Sequence, residues 1–257
     1  MSLVDLESVN GIATVRLNRP DKLNALSEEM KIDLIRIFQE VSADDAVRVV
    51  LLTGTGRGFC AGGDVSTMGG LTAHGAKKRI RQAQEVVLRL ANIEKPVVAA
   101  VRGPVAGIGW SLALASDIII ASETANFHQS FSKIGLVPDG GAVFFLRQIL
   151  GSYRAKELVY TARRTEAKEA LAMGLVNKVV PDAELEAVAH ELVTQLAAGP
   201  AFALSVTKRM FKSLEIPSLD NFLDTEAWAQ SLSLLTEDHQ EGGQAFKEKR
   251  APKFKGR

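Results

Sequence analysis

Two short apolar runs, each feeding straight into a glycine-rich turn, limit most strongly what this chain can fold into. The first is Val47 to Thr53, followed by the stretch Gly54 to Gly63. The second is Val97 to Val101, followed by Gly103 to Gly109. A strand that is apolar at successive positions is buried on both faces, as in a parallel sheet covered by helices. A third run of this kind spans Asp117 to Ala121. Gly11 to Leu17 alternates apolar and polar residues and predicts an earlier strand, broken by Asn18 to Asp21. Between the strands lie helical patterns. Ser27 is a suitable N-cap, Glu28 and Glu29 suit the positive end of a helix, and Met30, Leu34, Ile37 and Val41 recur at helical spacing. Further helices are expected around Ala76 to Asn92 and over the small residues Trp110 to Ala115. The first 140 residues therefore predict an α/β layered core.

From Ala142 onward the pattern becomes helical. Segments Arg154 to Thr161, Thr165 to Met173, Asp182 to Ala198, Ala201 to Ser213 and Ser218 to Asp238 are separated by turns and by Pro181, Pro200 and Pro217. The expected division is an α/β core over 1–197 and a helical region over 198–257. Lysine and arginine number 31 against 30 acids, a net charge of +1, which argues against nucleic acid as the main partner. A local basic cluster (Lys247, Lys249, Arg250, Lys253, Lys255 and Arg257) reads either as a solvated tail or as a phosphate contact. The single cysteine, Cys60, excludes an internal disulfide framework. No apolar run approaches the roughly 20 residues needed to span a bilayer, and no signal-peptide pattern opens the chain. The expectation is a cytoplasmic protein with no membrane partner.

The glycine turns are the main chemical signal. Glycine lets backbone approach a ligand closely and lets successive amides point one way. Two such amides from different loops can hold an oxygen that becomes negative during reaction, and the start of a helix near Trp110 would add a favourable dipole. Two tight strand-to-helix turns without a ligand would use the same glycines, so both readings stand. Rival motifs fit less well. Gly107 to Leu112 lacks the third glycine of a dinucleotide fingerprint. The segment Gly109 to Ala113 lacks the last glycine of a nucleophile elbow, leaving Ser111 a weak nucleophile candidate. His74, His128, His190 and His239 are scattered, so no metal site is expected. Asp139 lies between Pro138 and the pair Gly140 and Gly141, beside Leu136 and Val137. It suits either a helix cap or a desolvated acid with a raised pKa.

These stretches, taken together with Leu17 to Leu26, Gly58 to Asp64, Gly135 to Asp139 and the terminal Glu241 to Arg250, resemble the enoyl-CoA hydratase/isomerase (crotonase) superfamily. Phe131 to Asp139 most resembles its 1,2-epoxyphenylacetyl-CoA isomerase and enoyl-CoA isomerase branch. The resemblance implies a spiral of ββα units, a C-terminal helical trimerisation region, and a homotrimer or hexamer. It implies an acyl-CoA substrate, no metal, and no cofactor beyond the coenzyme A of the substrate itself. Carried over by position, Gly63 and Ile108 supply the two oxyanion amides. Lys22, Leu23, Ala25, Ala61, Asp64 and Val65 match positions lining coenzyme A, and Phe246 and Lys249 match a C-terminal region reaching its nucleotide end. Gly62, Gly107, Trp110 and Pro138 are expected beside the substrate, with Phe127, Phe131, Phe144 and Phe145 as lining or plain core. The two glutamates of family hydratases fall at Ser111 and Phe131, so neither carboxylate is present. Asp139 matches the working acid of several isomerases and a dehalogenase. Isomerisation is therefore expected over hydration. An enoyl-CoA hydratase of the same family that recruits other residues, a dehalogenase or hydrolase with Asp139 as nucleophile, a silent coenzyme A binder and a Ser111 hydrolase are the alternatives.

Overall fold

A computed structural model describes residues 2–213 and 219–253. In chain order the described elements are β1 (Val4–Val9), β2 (Ile12–Leu17), α1 (Glu28–Ala43), β3 (Val49–Gly54), α2 (Ala73–Ala91), β4 (Val97–Val101), β5 (Pro104–Ala106), α3 (Ile108–Leu114), β6 (Ile118–Ser122) and β7 (Asn126–His128). There follow α4 (Ala142–Thr161), β8 (Thr165–Glu166), α5 (Ala167–Ala172), β9 (Lys178–Val180), α6 (Leu185–Ala197), α7 (Ala201–Ser213), α8 (Leu219–Ser233) and α9 (Glu237–Glu248).

A six-stranded sheet runs β1-β2-β3-β4-β6-β9, and a three-stranded sheet runs β5-β7-β8. In the larger sheet only the β1–β2 pair is antiparallel; from β2 onward the neighbours are parallel. The expected double burial is met at β3 and β4, every residue of which is buried. One face packs on α1, α2 and α3 around Met30, Phe38, Leu52, Val87 and Trp110. The other packs on α6 through Leu185, Ala189 and Val193. Ser27 caps α1 as expected, its Oγ accepting from the Met30 amide at 3.2 Å, a contact worth about 1 kcal/mol.

Several expectations change. β1 and β9 were not anticipated, because β1 shows mixed burial at the sheet edge and β9 has only three residues. Thr165 to Met173 opens as a strand before turning helical. The helices around Ala142 to Leu150 and Arg154 to Thr161 run together across a kink at Gly151, where φ is 70°. The single helix expected over Ser218 to Asp238 is two. Thr236 breaks it by capping α9, accepting from the His239 amide at 3.0 Å; Pro217 and Ser218 lie outside the described residues. Both pieces turn back over the core: α8 lies on α2, and α9 lies on the 3-10 turn Ser130–Ile134. A small third core of Ala76, Ile80, Phe131, Leu136, Ala227 and Leu234 joins them to it. Among the described residues no helix is long and apolar enough to cross a membrane.

Candidate active site

The two glycine turns meet. Ala106 N donates to Cys60 O at 2.9 Å and Cys60 N to Pro104 O at 3.1 Å, a two-bond bridge between the turns. The first turn is also tied to the segment before α1. Leu26 N donates to Gly62 O at 2.8 Å, Asp64 N to Leu26 O at 3.1 Å and Ala61 N to Leu23 O at 2.9 Å. Gly62 sits at φ 107°, where a Cβ would come within 3.2 Å of Ala106 O. Gly109 approaches so closely that a Cβ would lie 2.5 Å from Cys60 O. This packing aims two amides at one space. Ile108 N is the first amide of α3 and has no intrahelical acceptor, and Gly63 N lies between the two bonds to Leu26. Among the described residues neither amide donates to a protein acceptor.

That space is a narrow cavity of about 20 Å³, walled by Leu26, Met68, Ile80, Ala83, Leu136 and Leu234, together with Gly63 and Ile108. Its polar wall is Lys31, Arg79, Asp139 and Gln230. Asp139 is 9% exposed, and its Oδ1 has no hydrogen-bond partner among the described residues. Burial pushes its pKa up to about 6, against the positive charges of Lys31 and Arg79 and a hydrogen bond to Gln230. The cap alternative for Asp139 fails: α4 is capped by Gly141 without a side-chain bond. Lys31 is buried on the first turn of α1, and Glu28 Oε1 accepts from Lys31 Nζ at 2.5 Å and from Arg79 Nη1 at 2.8 Å. Burial lowers the Lys31 pKa, while Glu28 works to raise it. One carboxylate thus serves two cations.

The loop bearing Asp139 is held from outside the cavity. Ser111 Oγ donates to Asp139 O at 3.0 Å and to Gly107 O at 3.4 Å. Ser111 is fully buried, and no histidine is bonded to it, so its hydroxyl serves as a strut rather than an activated nucleophile. Cys60 is inert as well, burial pushing its pKa up to about 12. Phe131 packs its ring against Gly107. Neither 111 nor 131 therefore offers a carboxyl. Trp110, expected beside the substrate, lies fully buried in the main core with its ring centroid 5.6 Å from that of Phe127, and does not line the cavity.

The residues matched to coenzyme A lie before α1, in the first glycine turn and its continuation, and on α9 and its cap. Lys22 is exposed on the 3-10 turn Pro20–Lys22, next to Leu23 in the left-handed region at φ 50°. Ala25 O accepts from Arg19 Nη1 at 3.1 Å. Asp64 pairs with Arg19 at 2.7 Å and accepts from Ser66. Burial would raise its pKa, but the bonds from Ser66 and Arg19 win and hold it near about 2. Val65 and Phe246 share a groove of about 290 Å³ between α9 and the 65–71 segment, which meets the cavity at Met68 and Leu234. Pro138 is partly buried beside Asp139. Lys249 is the exposed, left-handed cap of α9. The basic tail is partly neutralised, Arg250 bridging Glu241 and Glu248 at 2.6 Å; Lys255 and Arg257 lie outside the described residues. Among the described residues no three His, Cys, Asp or Glu side chains are grouped as metal ligands.

A family profile described as enoyl-CoA hydratase/isomerase matches residues 7–257. The chain belongs to the enoyl-CoA hydratase/isomerase family. Within it, the chain is 39% identical over 252 residues to a 1,2-epoxyphenylacetyl-CoA isomerase of Escherichia coli, with 96% of each covered. It is 36% identical over 248 residues to a short-chain-enoyl-CoA hydratase of Clostridium acetobutylicum, covering 96% of this chain and 95% of the other. The crystal structure of an enoyl-CoA hydratase from Mycobacterium avium subsp. paratuberculosis superposes with a TM-score of 0.92 at 36% identity, covering 99% of both chains. The α/β architecture is that of this crotonase family.

Some of the site escapes a reading along the sequence. Asn24, fully buried, accepts from Arg19 N and donates to Thr55 O and Gly58 O, pinning the first turn. Glu226 and Gln230, both buried on α8, hold the loop of Asp139. Their signal was present. With Leu223, Ala227 and Leu234 they fall on one helical face, and polar residues inside an apolar stripe call for partners.

Proposed function

We propose that this family member isomerises a coenzyme A thioester, moving a double bond or rearranging a ring through an enolate. The observation that carries the reading is that Asp139 shares its cavity with the two amides, Gly63 and Ile108, that lack protein acceptors. On a 3-enoyl thioester the Asp139 carboxylate takes a proton from C2, and the C2–H electron pair moves into a dienolate. The thioester oxygen is then held by the Gly63 and Ile108 amides, and the carboxyl returns its proton to C4. The product is the 2-enoyl thioester, of unchanged mass. A carboxyl of pKa about 6 is a base suited to a reaction near neutrality.

Charge around the cavity supports the same direction. With Asp139 ionised, Lys31 and Arg79 are balanced by Glu28 and Asp139. When Asp139 takes the substrate proton, one positive charge is left to face the enolate. A hydratase must also place and deprotonate a water, and Ser111 and Phe131 offer no carboxyl for that work. Support for the coenzyme A path comes from the groove shared by Val65 and Phe246, which meets the cavity at Met68 and Leu234; Lys22, Leu23, Ala25, Ala61 and Lys249 belong to the proposal by their match to the family. A homotrimer or hexamer is part of the proposal, supported by the exposed Tyr153, Phe202, Phe211 and Trp228.

Hydration is the second reading, favoured by the hydratase-named relatives. The test is incubation of the protein and its Asp139→Asn variant with 3-hexenoyl-CoA and 2-hexenoyl-CoA, followed by chromatography and mass. An isomer of unchanged mass, lost in the variant, supports isomerisation; addition of one water to 2-hexenoyl-CoA overturns it.

A further inference from the structure

Helix α8 grips the Asp139 loop at both ends. Gln230 Oε1 accepts from the Val137 amide at 3.1 Å, and Glu226 Oε2 accepts from the Gly141 amide at 2.9 Å. The two side chains are four residues apart, so one face of one helix presents both. Glu226 is 4% exposed, with its second oxygen 3.2 Å from Gln84 Nε2. It does not line the cavity. We propose that Glu226 is a positioning residue for Asp139, acting through the Gly141 amide, and that its ionisation disturbs the loop by setting a second buried negative charge against Asp139. The proposal rests on Asp139 being the proton-transfer group.

The reason is that two buried carboxyls on so short a path cannot both ionise without strong repulsion. Asp139 faces the cations Lys31 of α1 and Arg79 of α2, with Glu28 between them, so it ionises first. Glu226 faces Gln84 of α2, the Gly140 and Gly141 amides and the charge of Asp139. Burial, and then that charge, push its pKa up to about 8, against the opposing bonds from Gly141, Gln84 and Gly140. The base is thus ionised and Glu226 uncharged between about pH 6 and pH 8. At higher pH the clamp carries a charge against its own cargo.

Stability reports this without any substrate. An acid whose pKa is raised by folding stabilises the fold fully below the ordinary carboxylate range, and that contribution is lost as pH rises through the folded value. The share of Asp139 is spent by about pH 6, which leaves Glu226 as the carboxyl whose share is lost between about pH 6 and pH 8.

The experiment compares the full chain with its Glu226→Gln and Asp139→Asn variants in thermal unfolding from pH 5 to 9 and in turnover of 3-hexenoyl-CoA. Glutamine retains an acceptor for the Gly141 amide. Glu226→Gln should flatten the decline of Tm between pH 6 and 8. It should also abolish the fall in kcat above pH 8, with KM changed less than about twofold. Glu226→Ala should lower kcat roughly 10- to 10²-fold at every pH, the cost of a misplaced reacting group. A wild-type Tm slope in Glu226→Gln overturns the proposal. If the variants do not fold, a carboxyl ¹³C titration of the wild-type chain decides. A glutamate titrating near pH 8 upholds it, and none above pH 6 overturns it. Full activity in Asp139→Asn would instead remove the acid assignment itself, a separate result from the Tm window.

Discussion

Gly63 and Ile108 reach the cavity as backbone amides set by backbone bonds, whereas Asp139 reaches it as a side chain set by other side chains. The amide wall is built within two turns that touch through Cys60, Pro104 and Ala106. The acid wall draws on Ser111 below, Lys31 and Arg79 opposite, and Glu226 and Gln230 from a helix 85 and 93 residues further along the chain. The difference teaches that one wall depends on where glycine is allowed, and the other on which distant side chains arrive.

The largest effect should come from the acid wall. Asp139→Asn should lower kcat by about 10²–10⁴, checked by steady-state kinetics on 3-hexenoyl-CoA. In the wild-type chain kcat/KM should rise about tenfold per pH unit below pH 6, as the base ionises, and then stay level to about pH 8. A flat profile would separate Asp139 from the chemistry. On the amide wall, Gly109→Val places a side chain where Cys60 O would lie 2.5 Å and Sγ 2.8 Å from the new Cβ. Overpacking should cost about 1–3 kcal/mol of stability. Displacing the Ile108 amide should lower kcat by about 10²–10³.

Smaller effects sharpen the contrast. Ser111→Ala removes the strut under Asp139 O and should cost about 0.5–1.5 kcal/mol, with kcat changed less than about tenfold. A loss as deep as that of Asp139→Asn would revive a nucleophilic Ser111. Ile108→Val keeps the amide and trims one methyl group, so it should cost about 0.5–1.5 kcal/mol in thermal unfolding and leave kcat within about twofold. A large rate loss there would mean that the side chain, not the amide, matters.

The same contrast explains what was legible in the sequence. β3, β4 and the two glycine turns were readable because apolar runs and glycines express themselves over a few residues. Asp139 was visible as a lone acid between proline and glycines, but cap and acid could not be told apart locally. The burial and the cations that decide it come from α1, α2 and α8. Glu226 and Gln230 stayed hidden because nothing near them in sequence names their partners. Thr236 ended a helix that periodicity alone continued, since its hydroxyl competes for the backbone.

The Val137–Gln230 and Gly141–Glu226 bonds also order events in time. A chain emerging from the ribosome has both amides of the cavity once residue 108 is out, and it carries Asp139 soon after. The grip on that loop awaits residues 226 and 230. A nascent chain therefore carries the two amides well before the side chains that hold the Asp139 loop.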